Sequence, residues 1–340
     1  MPRRRRLLFS LTPVFVLALL AGACSSDDGG DESSSDTSAA GGASDTTAPA
    51  DEGASGAFTY LTYNVAGLPQ EVSSENPEEH IPLISPLLEP FDIVVTQEDF
   101  DWWTEDLAEL DFVNYHERLR ADTTHEYATA QHPGPAAVGI DGSDPERPLP
   151  SVGDGLGILS RFPLRDEVRV PWTHCRGLVD SASDCLAMKG FMVATVELTT
   201  GVEVDVYTLH AEAGSDPEDN VLQEEQFAQL AAFIDEHSVD RAIILGGDTN
   251  LHLEPDDEDR AHDTPVWEDF LAATGLTDVC SVVECPEPGA IDKVAWRDAD
   301  GLAFEPQTFV HENETFSGPE GEALSDHPPV SVDWTWTAES

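Results

Sequence analysis

Hydrophobic and polar positions alternate over residues 58–65, and the run is rich in β-formers, which predicts a first strand. Residues 91–96 and 242–245 are instead short continuous apolar runs, the pattern of strands buried on both faces. Further strands are predicted at 155–160, 190–198, 202–209, 291–296 and 330–336. The turn Thr199-Thr200-Gly201 makes a hairpin of 190–198 and 202–209. Helical spacing of Val221, Leu222, Phe227, Leu230, Ala231 and Ile234 predicts a helix over 219–237. Shorter helices are expected at 77–88, 102–110 and 266–274, the last stopped by Gly275. Residues 120–154 are rich in Pro, Gly, Asp and His and show no period; a stretch that long without elements is usually functional. Mixed strands and helices with hairpins predict an α/β (α+β) chain, two sheets packed face to face with helices outside.

Length adds that 340 residues suffice for one large domain with a substantial core. Charge adds more. The formal net charge is -51, and only 2 lysines and 10 arginines follow the first six residues. Such a chain repels nucleic acid at long range and lacks the cations to neutralise its phosphates. It gains no general attraction to anionic lipid, and it concentrates cations, divalent metals included.

The N-terminus reads as a targeting segment. Arg3, Arg4, Arg5 and Arg6 precede an apolar stretch, 7–20, broken by Pro13, and Ala21-Gly22-Ala23 lead into Cys24. The pattern resembles the lipobox of bacterial lipoproteins, with the consensus leucine one position early at Leu20. The resemblance implies a signal peptide over 1–23 and lipidation at Cys24; an ordinary signal peptide and an uncleaved anchor are the alternatives. Residues 24–56 offer almost nothing to bury and are expected to be a disordered tether, leaving 57–340 as the folded domain. An exported, membrane-anchored or secreted monomer is the expectation. Export favours disulfides among Cys175, Cys185, Cys280 and Cys285. Short loops close at least entropic cost, which favours Cys175–Cys185 and Cys280–Cys285. A four-cysteine zinc site is the alternative, without the usual C-x2-C knuckle.

Candidate chemistry gathers where buried strands run out. Asn64, Gln97-Glu98, Gly247-Asp248-Thr249-Asn250 and Ser325-Asp326-His327 occur in that order. Each alone has a plain reading: Asn64 and Asp248–Asn250 as turns, Glu98 as a solvated strand end, Asp326-His327 as a surface turn before Pro328. Together they supply what phosphate-ester hydrolysis needs. Carboxylates and amides suit a hard cation, Mg²⁺ or Mn²⁺. His327 titrates near neutrality and suits a general base. Asp248 and Asn250, two apart on an extended segment, can face the same way.

These segments, with Gly155-Leu156-Gly157-Ile158-Leu159-Ser160-Arg161, His210 and Ile291-Asp292, resemble the endonuclease/exonuclease/phosphatase family from residue 58 to the C-terminus. The resemblance implies a four-layer αββα sandwich with the site at one end of the two sheets. It implies Glu98 as main metal ligand with Asn64 nearby and Asp326 near the metal, and Asp292 orienting His327. It also implies Asp248 and Asn250 acting on water and phosphate. Two departures stand out. Thr208-Leu209-His210 replaces the usual Thr-His-Leu, and Lys293 follows Asp292 where the family usually has Tyr.

Within that family, Thr62-Tyr63-Asn64-Val65-Ala66-Gly67-Leu68-Pro69, Lys189-Gly190-Phe191 and Ser325-Asp326-His327-Pro328-Pro329 look most like bacterial sphingomyelinase C. This implies a lipid phosphodiester substrate, with Lys189 and the consecutive Trp102 and Trp103 as substrate-contact candidates. Trp suits a lipid–water boundary because it joins an apolar body to a polar N–H. An extracellular endonuclease is the alternative, disfavoured by the sparse positive charge. A non-catalytic binding lipoprotein is the other.

Overall fold

Alternation sorts the strand residues onto two faces, and the two sheets use that sorting alike. The computed structural model describes residues 53–70, 73–101, 115–177, 184–253 and 261–339. The chain divides into two units, Met1–Ala48 and Pro49–Ser340, and every described residue lies in the second. In chain order its elements are β1 (Ala54–Asn64), α1 (Pro77–Ile84), β2 (Ile93–Gln97), α2 (Tyr115–Leu119), β3 (Tyr127–Ala128), β4 (Gly157–Ser160) and β5 (Leu164–Pro171). Next come β6 (Gly190–Thr199), β7 (Val202–His210), α3 (Pro217–His237), β8 (Ile243–Asp248), α4 (Asp263–Thr274) and β9 (Thr277–Asp278). The last are β10 (Asp292–Arg297), β11 (Leu302–Pro306), β12 (Val310–His311) and β13 (Val330–Ala338).

One sheet has the order β11-β13-β1-β2-β4-β3, with β12 also on β13; the other runs β5-β6-β7-β8-β10-β9. Their inner faces meet in a core that includes Tyr60, Val95, Ile158, Met192, Val206, Ile244, Val294 and Trp334. The next residues along the same strands face outward. Leu61, Tyr63 and Val94 pack with Ile81, Ile84, Tyr115 and Leu119 of α1 and α2. Tyr207, Leu209, Ile243 and Leu245 pack with Phe227, Leu230, Trp267 and Phe270 of α3 and α4. The layers are therefore helix, sheet, sheet, helix, as expected from the sequence.

Glycines set how closely the sheets approach. A Cβ on Gly246 would lie 2.2 Å from the Tyr60 hydroxyl across the seam, and one on Gly247 2.4 Å from the Leu209 carbonyl oxygen. Gly246-Gly247-Asp248 continues β8 rather than turning, because it pairs with β7 on one side and β10 on the other. The strand expected to end at 245 runs three residues further, which carries Asp248 to the sheet end.

Other differences have simple causes. The helix expected over 77–88 stops at Ile84 and tightens into a 3-10 turn over Ser85–Leu88, where Pro82 and Pro86 lack N–H donors. β5 has no apolar alternation because it is a mostly half-exposed edge strand. β1 begins at Ala54, pairing with Ala338, so the folded part starts before residue 57. The helix expected at 102–110 lies outside the described residues. Cys175–Cys185 and Cys280–Cys285 are the disulfides. Among the described residues no helix is long and apolar enough to cross a membrane.

Candidate active site

Strand direction gathers the candidate residues at one end of the seam. β1 and β2 are parallel, with Asn64 opposite Gln97; β7 and β8 are parallel, with His210 opposite Asp248. β10 runs against β8 and starts with Asp292 opposite Asp248. β13 runs against β1 and starts just after His327. Two-residue steps then place the side chains. Val206 faces the inter-sheet core, so Thr208 and His210 face the same seam. By the same count Ile244 brings in Asp248, Val95 brings in Gln97 and Val294 brings in Asp292. Whatever the altered order of Thr208-Leu209-His210, the two-residue step from Val206 puts the His210 imidazole on the inward face.

Just above the apolar core lies a polar floor. The Gln97 amide donates across the seam to Thr208 Oγ1 at 2.8 Å and to Thr62 Oγ1 at 3.2 Å. Neither threonine was singled out from the sequence; the two-residue spacing from His210 and Asn64 was the available signal.

Above this floor, one carboxylate oxygen is the meeting point. Asp248 Oδ2 accepts from Asn64 Nδ2 at 3.0 Å and lies 3.3 Å from His210 Nε2 and 3.7 Å from His327 Nε2. Asn64 Nδ2 also reaches Glu98 Oε1 at 3.2 Å and lies 3.4 Å from His327 Nε2. The Ala66 N–H donates to Asn64 Oδ1 at 3.1 Å, so the amide oxygen faces the backbone and the NH₂ faces the site. His210 Nε2 is 3.9 Å from Glu98 Oε1, and His327 Nδ1 is 2.8 Å from Asp292 Oδ2.

Glu98 follows the last residue of β2 in a left-handed conformation, φ 56°. Its turn is gripped by two glycines. A Cβ on Gly67 would lie 2.2 Å from the Glu98 carbonyl oxygen, and one on Gly155 2.9 Å from the Glu98 Cα. Positive φ in a residue with a side chain costs energy, and here the turn aims a carboxylate back toward Asn64.

Asn250, also left-handed, donates its N–H to Asp248 Oδ1 at 3.0 Å and its side-chain amide to the Ala211 carbonyl at 3.1 Å. Its side chain is therefore turned to the segment after His210 rather than lying alongside Asp248. Lys189 is buried, paired with Asp184, and within 3.4 Å of the Ala211 carbonyl. Asp326 is exposed; Ser325 Oγ lies 3.5 Å from its Oδ1. Trp102, Trp103 and Cys24 lie outside the described residues.

Burial and crowding set the protons. Burial pushes the Glu98 carboxyl up, only partly offset by Lys189 and the Asn64 amide. Burial likewise pushes Asp292 up to about 6. For His327, burial disfavours the cation, but Asp248, Asp292 and the hydrogen bond it donates to Asp292 outweigh it and raise the imidazole to about 10. Burial opposes the Asp248 anion, yet the charges of His327 and Lys189 and the Asn64 hydrogen bond hold it below the usual carboxylate range. His210 is pushed well down by burial and by Lys189, so it is neutral.

The donor set fits a hard divalent cation. Glu98, Asp248 and Asp292 converge, and one ligand atom each from Asp248, Asp292 and His327 lie within 4.8 Å of one another. Asp292 Oδ1 and His210 Nδ1 are buried with no hydrogen-bond partner among the described residues.

A model of the Endonuclease/Exonuclease/phosphatase family matches residues 61–327, from within β1 to the histidine paired with Asp292. The chain belongs to that family. It is 29% identical over 302 residues to the sphingomyelinase of Mycobacterium tuberculosis (strain ATCC 25618 / H37Rv), covering 84% of this chain and 54% of the relative. The chain thus spans about half the length of that curated relative. Sphingomyelinase C from Streptomyces griseocarneus shares the fold with TM-score 0.53 at 20% identity, over 84% of this chain and 100% of that one. So does a Staphylococcus aureus beta toxin mutant with bound magnesium ions, at TM-score 0.55 and 16% identity, over 82% and 99%. The αββα layers of this family member match those neighbours in architecture.

Proposed function

We propose that this endonuclease/exonuclease/phosphatase family member is a divalent-metal-dependent phosphodiesterase acting on a lipid phosphodiester of the sphingomyelin type. The observation that carries the reading is the convergence of Asn64, His210 and His327 on one oxygen of Asp248, with Glu98 alongside. Similarity to a sphingomyelinase over most of the chain and the scarcity of cationic side chains favour lipid over DNA. An extracellular endonuclease is the alternative.

Glu98 would hold Mg²⁺ or Mn²⁺, with Asp326 and the Asn64 region nearby, and the ion would polarise a phosphoryl oxygen. Asn64 serves this site best as a donor, since its oxygen is taken by the Ala66 N–H. His327, oriented by Asp292 through Nδ1, would take a proton from water at Nε2 as that water attacks phosphorus; this needs the neutral imidazole, and a cation beside Glu98 and Asp248 would offset the carboxylates that raise His327 to about 10. The bond from phosphorus to the leaving alcohol breaks, and solvent returns a proton to the alcohol. Neutral His210 and the second N–H of Asn250 donate to the non-bridging oxygens. Lys189, held by Asp184, offsets the carboxylate charge from one side, and Trp102 and Trp103 would meet lipid. A second placement uses Asp248, Asp292 and His327 as the cation ligands, favoured by their spacing of 4.8 Å or less; it would make His327 a ligand instead of a base. The chain would act as an exported monomer, tethered by lipidated Cys24 through residues 25–53.

A panel of sphingomyelin, phosphatidylcholine, plasmid DNA and a simple phosphomonoester, each with Mg²⁺, tests the reading. Release of phosphocholine with plasmid left intact is expected. Efficient nicking of plasmid with sphingomyelin untouched would replace it with the endonuclease alternative.

A further inference from the structure

Ser325 is buried at the base of the site, and its hydroxyl joins two segments 261 residues apart. It donates to the Asn64 carbonyl at 2.7 Å and accepts the His327 N–H at 3.2 Å. The chain after His327 is next tied at the Pro329 carbonyl, which accepts the Glu312 N–H at 2.8 Å, and at Val330, which opens β13. Pro328 and Pro329 follow directly and carry no N–H, so the His327 N–H is the one backbone donor from 327 to 329. That donor ends on Ser325. On the other side, Asn64 places its amide between Glu98, Asp248 and His327.

We propose that Ser325 is a positioning residue: its hydroxyl fixes the backbone carrying His327 against the strand end carrying Asn64. The proposal rests on the reading of His327 as a group that acts on the reacting water. Loss of the hydroxyl leaves the Asn64 carbonyl without this donor and the His327 N–H without its acceptor. The imidazole then drifts relative to Asp292 and Asp248 while the sandwich below stays packed. Misplacement of a reacting group by about 1 Å costs on the order of 10²-fold in rate.

The test is a double-mutant cycle on the full-length protein with Mg²⁺ and a soluble chromogenic phosphodiester, joined to a spectroscopic readout. In the wild-type background Ser325→Ala should lower kcat by about 10- to 100-fold with KM changed less than about 2-fold. Ser325→Thr, which keeps the hydroxyl, should recover most of it. In the His327→Ala background the same Ser325→Ala change should cost almost nothing, because no imidazole is left to place. Equal loss in both backgrounds would overturn the proposal, as would an unaffected kcat in Ser325→Ala. Imidazole N–H exchange, read by NMR, needs no activity. The His327 Nδ1 proton should exchange at least about 10-fold faster in Ser325→Ala than in wild type. Unchanged exchange in folded protein would also overturn it. Wild-type enzyme inactive on every phosphodiester would instead sink the functional reading, and the exchange measurement would still decide the placement of His327.

Discussion

Two buried polar clusters lie along β7 and its neighbours, one at each end, and they are built on opposite plans. Near the start of β7, Asp205 is closed on itself. Its Oδ2 accepts from Ser238 Oγ and Arg241 Nε, both at 2.7 Å, and its Oδ1 accepts from Arg241 Nη2 and Thr195 Oγ1, both at 2.8 Å. One carboxylate meets one guanidinium, and Tyr207 completes the set through Ser238 at 2.6 Å. At the other end, Asp248 sits among two more carboxylates and two imidazoles, and Asp292 Oδ1 and His210 Nδ1 have no partner among the described residues. The first cluster satisfies every oxygen and so holds β6, β7 and the end of α3 together. The second spends its hydrogen bonds on orientation and leaves charge uncompensated, which suits a place where a cation and a phosphate belong.

The comparison predicts that changes at the two ends separate activity from stability. The largest effect is expected at the open end. His327→Ala should lower phosphodiester hydrolysis by about 10²–10⁴-fold in protein that remains folded at the assay temperature. A loss of activity that merely tracks unfolding would remove the distinction. At the closed end Arg241→Ala leaves Asp205 buried without its partner. It should destabilise by about 3 kcal/mol, near the low end for a broken buried pair because Arg241 is itself about a third exposed. Activity per folded molecule, measured well below the midpoint, should not change.

A signed effect comes from pH. In metal-free protein the carboxylates raise His327 from about 6.5 in the unfolded chain to about 10. The folded state therefore binds this proton more tightly. The stability it contributes is fully present below about pH 6.5 and is lost as pH rises through about 10. Urea midpoints in EDTA across that range should fall in wild type, and His327→Ala should remove this part of the slope. A slope unchanged by that substitution would place the effect elsewhere. The smallest effect is Ser238→Ala, about 1 kcal/mol by urea unfolding, the usual worth of a hydrogen-bonded hydroxyl. It should leave kcat untouched.

Much of the site was legible because its residues follow apolar runs. The run at 91–96 pointed to Gln97-Glu98, and the run at 242–245 pointed to Asp248, although β8 itself carries on to that residue. What local pattern could not supply is the set of contacts made across the seam. Nothing near Asn64 says that its NH₂, not its oxygen, faces the carboxylates; that follows from the Ala66 N–H behind it. Asn250 looked free to lie beside Asp248, but a left-handed backbone turns its amide to Ala211. The family order of Thr, His and Leu is altered around His210, yet strand alternation alone returns it to the seam. Edge strand β5 left no signal because Arg165, Asp166 and Glu167 are exposed and the register shifts between Arg165 and Val168, which breaks the alternation that marks a strand.

The most direct test of the account is a magnesium titration of hydrolysis in enzyme stripped with EDTA, run on wild type and Glu98→Gln with sphingomyelin vesicles. Wild type should be inactive when stripped and recover fully as Mg²⁺ is restored. Glu98→Gln should stay folded and recover little even at high Mg²⁺. Full activity in the stripped wild-type enzyme, or normal recovery in Glu98→Gln, would contradict the claim that this end of the seam is a metal-dependent site centred on Glu98.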